Sequence, residues 1–484
     1  MVMALKSNKA SNKWLALMTT SVGTLMASIN NSIVNIANPV MAAEFGVSMA
    51  QIQWVATIYL IVTSSMTVFF GRMGGRLGAH RMYIFGVAAF TLGSLACSLV
   101  DQLQFLLMTR AIQGLGAAMM VSVSIGLVAT IFPQAERGRA MGINALMVGL
   151  GSVTGPTVGG LVLSVGSWHS IFLLGVPFGL TTLVFALLWL RSPLPRNKEI
   201  SLGLGSALLL MAAIACLVMF LNGGFDGQQW FGLACIILVI GFIFVERRSA
   251  QPLLAPALLK NKRFILGNII AILSYAAQMM MTFQIPFFLE TIWAIPVGNV
   301  GFLMMASALT MAISGPLSGI VADRFGAFKV MIPALISVGL GLTIAFFLGP
   351  VPIIWLFIIM MVLMGAGMGF FNTPNNSDIM TAAGRENSSF ASGFVGTCRT
   401  LAFCIGTALS ASIFQWATSI SADFSSVTGI MLATPVDLHR FSFTVVLVFA
   451  ITLVFASLGL CIYLVLTSKK KIETIPIDLR REES

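Results

Sequence analysis

The sharpest chemistry in this sequence belongs to Arg110, the one charged residue between Asp101 and Glu136. A guanidinium in so apolar a run costs from about 3 to over 10 kcal/mol, so it must face a polar cavity or a partner. Gln113 and Gly114 follow at i+3 and i+4, which gives the helix a narrow polar face. Such an arginine can bias the pKa of a nearby acid, bind an anionic substrate group, or satisfy backbone carbonyls of a neighbouring helix. Arg399 stands in a second apolar stretch and carries the same argument. Asn31, Asn35 and Asn38 recur at i, i+4 and i+7, with Ser28 and Asn30 beside them. Amides in an apolar helix need partners, from cavity water or from another helix at about 0.6 kcal/mol each. Cavity lining is the reading for Asn30, Asn31 and Asn35, and Asn38 fits either. An amide does not titrate, so this face can bind but cannot carry a proton. Glu290 and Asp378 remain as acids that border apolar stretches, where each is either proton-linked or simply solvated. His80, His169 and His439 form no cluster, and the six cysteines include no C-x-x-C pair. No catalytic group, metal site or cofactor is expected.

These residues must be positioned by membrane helices. Of 484 residues, 58% are hydrophobic and 9% charged, against about 25% charged in soluble domains. That composition excludes a soluble enzyme, a disordered scaffold and a nucleic-acid-binding module. A bilayer core needs roughly 20 apolar residues per helix. Cutting the chain at Lys, Arg, Asp and Glu leaves stretches for fourteen spans, two pairs of which turn at Gly166–Trp168 and Gly349–Pro352. Residues 193–262 hold spans 7 and 8, between six-span segments at 1–192 and 263–468, and 469–484 form a tail.

Alternating loops differ sharply in charge. With the N-terminus in the cytoplasm, inward loops and tails hold 24 of the 27 Lys and Arg residues. Outer loops carry Glu44, Asp101, Asp226, Glu290, Asp423 and Asp437. The positive-inside rule therefore places both termini in the cytoplasm, and it accounts for the net charge of +11 without a polyanionic partner.

One motif occurs twice. Gly71, Arg76 and Gly78 share a Gly-x-x-x-x-Arg-x-Gly frame with Gly319, Arg324 and Gly326, eight spans later. Two six-helix halves with spans 7 and 8 inserted place both loops equivalently, as in transporters built from parallel repeats. Gly151, Gly155, Gly159 and Gly160 with Pro156 make a small-residue face at a break in the hydrogen-bond ladder. Its readings are a bending seam or plain packing.

In these motifs the chain resembles the major facilitator superfamily, and within it the fourteen-span drug:proton antiporters. Gly71 to Arg81, with Arg72 and Arg76, looks like that family's first inter-helix loop motif. Arg110, Gln113, Gly114 and Gly116 match its span 4 motif, and Gly151 to Gly160 the span 5 motif of exporters. Ile29 to Pro39 follows the span 1 motif of the fourteen-span branch. The family carries an aspartate where this chain has Gly75, though the second copy keeps it as Asp323. It carries another where this chain has Asn30. In the family those acids serve the conformational cycle and proton or cation handling, so their replacement leaves the coupling ion open.

The expectation is an all-α integral membrane protein of fourteen transmembrane helices in a bacterial cytoplasmic membrane, monomeric, exporting small amphipathic compounds by alternating access. The chain's 29 Met and 36 Phe suit lipophilic cations among them. No Gly-Lys pair is present, so no Walker A loop supplies ATP energy, and an ion or substrate gradient must. The alternatives are an exporter of a defined metabolite, siderophore or lipid with different or no proton coupling, and a transport-incompetent sensor.

Overall fold

The computed structural model of the chain describes residues 2–47, 49–52, 54–190, 203–222, 227–249, 256–295, 297–428 and 435–473. These residues fold entirely into helices and their connections. In chain order the helices are α1 (Val2–Phe45), α2 (Met49–Ile52), α3 (Trp54–Leu77), α4 (Ala79–Cys97), α5 (Leu103–Ile131) and α6 (Gln134–Val165). Then come α7 (His169–Leu173), α8 (Gly175–Trp189), α9 (Leu204–Asn222), α10 (Gln228–Arg248), α11 (Pro256–Lys260) and α12 (Lys262–Thr291). The last are α13 (Val297–Phe325), α14 (Ala327–Ala345), α15 (Ile354–Ala383), α16 (Ser388–Thr428) and α17 (Pro435–Glu473). Among the described residues, 10 helices are long and apolar enough to cross a membrane, and Gly205–Phe220 is a shorter apolar helix. The side chains of Asn31, Asn35 and Pro156 lie outside the described residues, as does the boundary expected near residue 193.

Packing sorts the helices into two sets with the same internal plan. In the first, α1 packs on α6 and α8, α3 on α5, and α4 on α5 and α8. In the second, α12 packs on α16 and α17, α13 on α15, and α14 on α15 and α17. Each of these contacts has its counterpart under one substitution of helices, which is the arrangement that parallel repeats produce. The sets meet along two seams related by the same substitution, α6 against α13 and α3 against α16. Helix α9 lies over the second seam, touching both α3 and α16, and α10 packs on α9.

The repeated glycine frame explains the sharp turns that begin α4 and α14. Gly78 and Gly326 are their N-caps, with φ of 99° and 92°. Those values suit glycine and strain any L side chain. The amide of Gly78 donates to the Gly74 carbonyl at 2.9 Å and that of Gly326 to Ala322 at 2.8 Å. We call the side of the molecule that holds these turns the basic end, since Arg72, Arg76, Arg137, Arg139 and Arg324 gather there.

The sequence predicts that Pro374 interrupts its helix. Instead α15 runs unbroken through Pro374 to Ala383. Residues Asn372 to Asn376 are all buried, so they belong to the interior of the bundle. A proline inside a membrane helix persists where neighbours and polar side chains re-satisfy the freed backbone. Here Thr373 donates to the Gly315 carbonyl of α13 at 3.3 Å and ties the kink-prone turn to its neighbour.

Candidate functional site

Four helices converge on Arg110. Helix α5 presents Arg110 and Gln113 one turn apart, and both are 1% exposed. Gly114 and Gly116 make that possible. A Cβ on Gly114 would stand 3.1 Å from the Tyr59 carbonyl of α3, and one on Gly116 would strike the Phe90 backbone of α4. With no side chains there, α3 and α4 close in and seal the guanidinium from water.

Inside the seal, Arg110 Nε donates to the Val55 carbonyl at 2.9 Å. Its Nη1 donates to Gln113 Oε1 and, at 3.4 Å, to Asn30 Oδ1 of α1. Gln113 Nε2 donates to the same Asn30 oxygen at 3.2 Å and to Ser94 Oγ of α4 at 2.6 Å. The guanidinium carbon lies 4.5 Å from the Tyr59 ring centre and 5.6 Å from that of Phe172. Every acceptor in the cluster is neutral. Two donors point at Asn30 Oδ1, while its Nδ2 is buried without an acceptor. That orphan marks what a carboxylate at position 30 would change: a second oxygen in place of the misplaced amide, and a negative charge against Arg110. As it stands, the cluster holds one buried positive charge and no group that could exchange a proton near neutral pH.

The second set of helices has its own polar cluster. Tyr275 of α12 donates to Asn372 Oδ1 of α15, and Asn376 Nδ2 donates to the same oxygen at 2.8 Å. Asn268 Nδ2 bonds the Phe264 carbonyl at 2.8 Å, and its Oδ1 is buried without a partner, as are both polar atoms of Asn375. Arg399 is half-buried on α16 and acts electrostatically on Tyr275. The structure therefore brings Arg110, Gln113 and Asn30 together, and places Arg399 in the other set.

The two candidate acids fall at the rims. Glu290 is exposed at the end of α12. Asp378 is buried at the basic end, where Arg263 Nε reaches both of its oxygens at 2.9 Å and Nη2 adds a further bond. A carboxylate so held is a fork-shaped ion pair that ties α12 to α15.

The glycine motifs sit at close approaches. A Cβ on Gly151 would come 2.5 Å from the Ser28 side chain of α1, and one on Gly159 would come 2.8 Å from Ile33. Gly155 is buried, whereas Gly160 is exposed with nothing within 4 Å of a Cβ. So Gly151 and Gly159 fit α6 against α1, and Gly160 takes no part. At the basic end of the first seam, Asp323 Oδ1 accepts from the Gly138 amide at 3.1 Å and Oδ2 from that of Arg139 at 3.2 Å. The same two oxygens have no equivalent in the second seam, where the position is Gly75. Arg76 and Arg324 are both exposed, while Arg72 is half-buried and attracted by Glu246 of α10.

Sequence reasoning missed Tyr59, Ser94, Tyr275 and Asn268. A signal existed for the tyrosines. The chain has 4 Tyr against 36 Phe, so a hydroxyl on a ring is a choice rather than a default. Tyr59, Tyr83 and Tyr275 are all buried. Among the described residues no group of three or more His, Cys, Asp or Glu could hold a metal ion.

Known proteins share this architecture. A family model described as Major Facilitator Superfamily matches residues 20–407 and 267–476. The riboflavin transporter RibZ of Clostridioides difficile (strain 630) is 31% identical over 416 residues, 86% of this chain and 91% of its own length. The uncharacterized transporter YebQ of Escherichia coli (strain K12) is 34% identical over 403 residues, 81% of this chain and 87% of its own. Multidrug resistance protein 3 of Bacillus subtilis (strain 168) is 26% identical over 372 residues, 75% of this chain and 72% of its own. In fold, the chain matches the human organic anion transporter MFSD10 at a TM-score of 0.65 and 14% identity, covering 93% of this chain and 99% of the other.

Proposed function

The chain belongs to the Major Facilitator Superfamily and is a secondary transporter, and from that premise we propose that it exports small amphipathic compounds without carrying a proton through its Arg110 cluster. Its fourteen spans form bundles at 1–192 and 263–468 with the pair at 193–262 inserted, in a bacterial cytoplasmic membrane with the basic end inward. The observation that carries the reading is Asn30. The cluster that would otherwise pair a carboxylate with Arg110 is built around an amide, and an amide neither titrates nor neutralises the guanidinium.

Two consequences follow for coupling and substrate. Proton release and uptake at position 30 would change the charge of the cluster during each cycle. With Asn30 the charge stays at plus one, so the alternation between the two facing states is driven by substrate alone. A permanent buried cation also disfavours lipophilic cations nearby and favours neutral or anionic compounds, since little water screens it. That moves the substrate away from cationic drugs and toward polar-edged aromatic molecules. A relative named as a riboflavin transporter supports this class, while one named for multidrug resistance supports breadth.

The test uses purified protein in liposomes with riboflavin, which is neutral, and ethidium, which is cationic, each measured with and without an imposed pH gradient. The reading expects riboflavin to equilibrate faster than ethidium, and neither to accumulate when the pH gradient is applied. Gradient-driven accumulation of ethidium would replace it with a drug:proton antiporter whose proton site lies elsewhere.

A further inference from the structure

A half-open cavity of about 210 Å³ lies between the two helix sets at the basic end. Its wall comes from Ala129 and the α6 residues Gln134 and Arg137 on one side, and on the other from Met380 and Thr381 of α15, Arg385 in the connection that follows, and Ser388 of α16. The two sides match. Ala129 and Met380, Gln134 and Arg385, and Arg137 and Ser388 are each 251 residues apart. The same spacing relates Gly138 and Gly142 of the first seam to Ser389 and Gly393 of the second. The cavity therefore straddles the axis that relates the halves, and it exists only while they are together at this end.

Its charges are unbalanced. Arg137 is 7% exposed, its Nη1 donates to Thr381 at 3.3 Å, and its Nε is buried without an acceptor. Arg385 repels it across the space, and Asp323 attracts it. Asp323, however, already accepts from the amides of Gly138 and Arg139. Glu136, next in sequence to Arg137, is held by Lys13 at 2.5 Å. Two long helices also begin at the cavity. Gln134 is the first residue of α6 and Ser388 the first of α16, so the positive ends of two helix dipoles join two guanidinium groups.

We propose that this cavity binds the phosphate group of an oxyanion, clasped between Arg137 and Arg385 with Ser388 as a further donor. Arginine forks match phosphate oxygens in pairs, and an anion there relieves the repulsion between the two cations. Because each half supplies one arginine, the bound anion holds the basic end shut. The group arrives either as a free phosphate or as the headgroup phosphate of an anionic lipid.

Thermal unfolding of the full-length protein tests this. In neutral detergent, inorganic phosphate is titrated against sodium chloride at matched ionic strength. In lipid nanodiscs, phosphatidylcholine is compared with phosphatidylcholine plus phosphatidylglycerol. The expected result is a Tm rise of about 1–2 °C at saturating anion, abolished by Arg385→Gln and kept by Arg247→Gln. Arg385 and Arg247 are both exposed, so neither change threatens the fold. A rise with inorganic phosphate identifies a soluble oxyanion, and a rise with phosphatidylglycerol alone identifies the lipid. No rise in either arm, an equal rise with chloride, or a rise that survives Arg385→Gln overturns the site.

Discussion

The two seams between the halves are built to one plan and finished differently. In the first, a Cβ on Gly142 would stand 2.7 Å from the Gly315 carbonyl. In the second, a Cβ on Gly393 would stand 2.7 Å from the Thr67 carbonyl, 248 residues before Gly315. Backbone approach is thus the same on both sides. What differs is the bond across the basic end: Asp323 clamps two amides of α6, whereas Gly75 offers α16 nothing. The second seam has something else. Helix α9 covers it, with Ile214 and Val218 packed against Ile61 of α3 and Cys404 of α16. Helix α10, on the outside of α9, brings Glu246 to Arg72 in the last turns of α3, which carry no acid of their own. Helices α9 and α10 therefore supply apolar cover and a carboxylate at the seam that has Gly75 where the other has Asp323. This gives α9 and α10 a physical role that hydropathy alone did not.

Breaking the seams should rank their parts. The largest effect belongs to backbone contact. Gly319→Ala drives a methyl group into the Gly138 carbonyl, so we expect loss of transport of at least about tenfold with a lowered Tm, since overpacking costs about 1–3 kcal/mol. Gly160→Ala, whose Cβ meets nothing, should leave both unchanged. Equal effects from the two would mean that the motif glycines do not act through close approach. Next comes Asp323→Ala, which removes two hydrogen bonds to a charged acceptor at about 1–3 kcal/mol in all. It should loosen the basic end, read as faster alkylation of a cysteine placed at Thr381. Gly75→Asp should act in the opposite direction by giving the second seam the clamp of the first. If it has no effect, the two loops are not equivalent. Smallest is Glu246→Gln, a half-buried pair worth up to about 1 kcal/mol. Its effect should vanish in the Gly75→Asp background.

Much of this architecture is legible in the sequence because charge is rare. Where 9% of residues are charged, the stretches without them stand out as helices, and turns such as Gly166–Trp168 fall between helices α6 and α7 as the pattern requires. Gln113 follows from helical periodicity, and the repeated frame anticipates the matching turns at Gly78 and Gly326. The partners of Arg110 are less visible. A backbone carbonyl such as Val55 has no signature in any sequence. Asp378 reads as a candidate proton carrier until Arg263, 115 residues earlier, is seen against it. Pro374 misleads for a related reason, since local propensity says break and the neighbouring helix says continue. The cavity between Arg137 and Arg385 depends on two halves meeting, and no local pattern records that.

The central claim is that Asn30 leaves Arg110 without a titratable partner and the transporter without a proton path through that cluster. Riboflavin flux into liposomes, with an imposed pH gradient, should be compared for the unmodified protein and Asn30→Asp. The account predicts that the unmodified protein only equilibrates riboflavin, and that Asn30→Asp makes the flux respond to the gradient. Uphill accumulation driven by the pH gradient in the unmodified protein would contradict it.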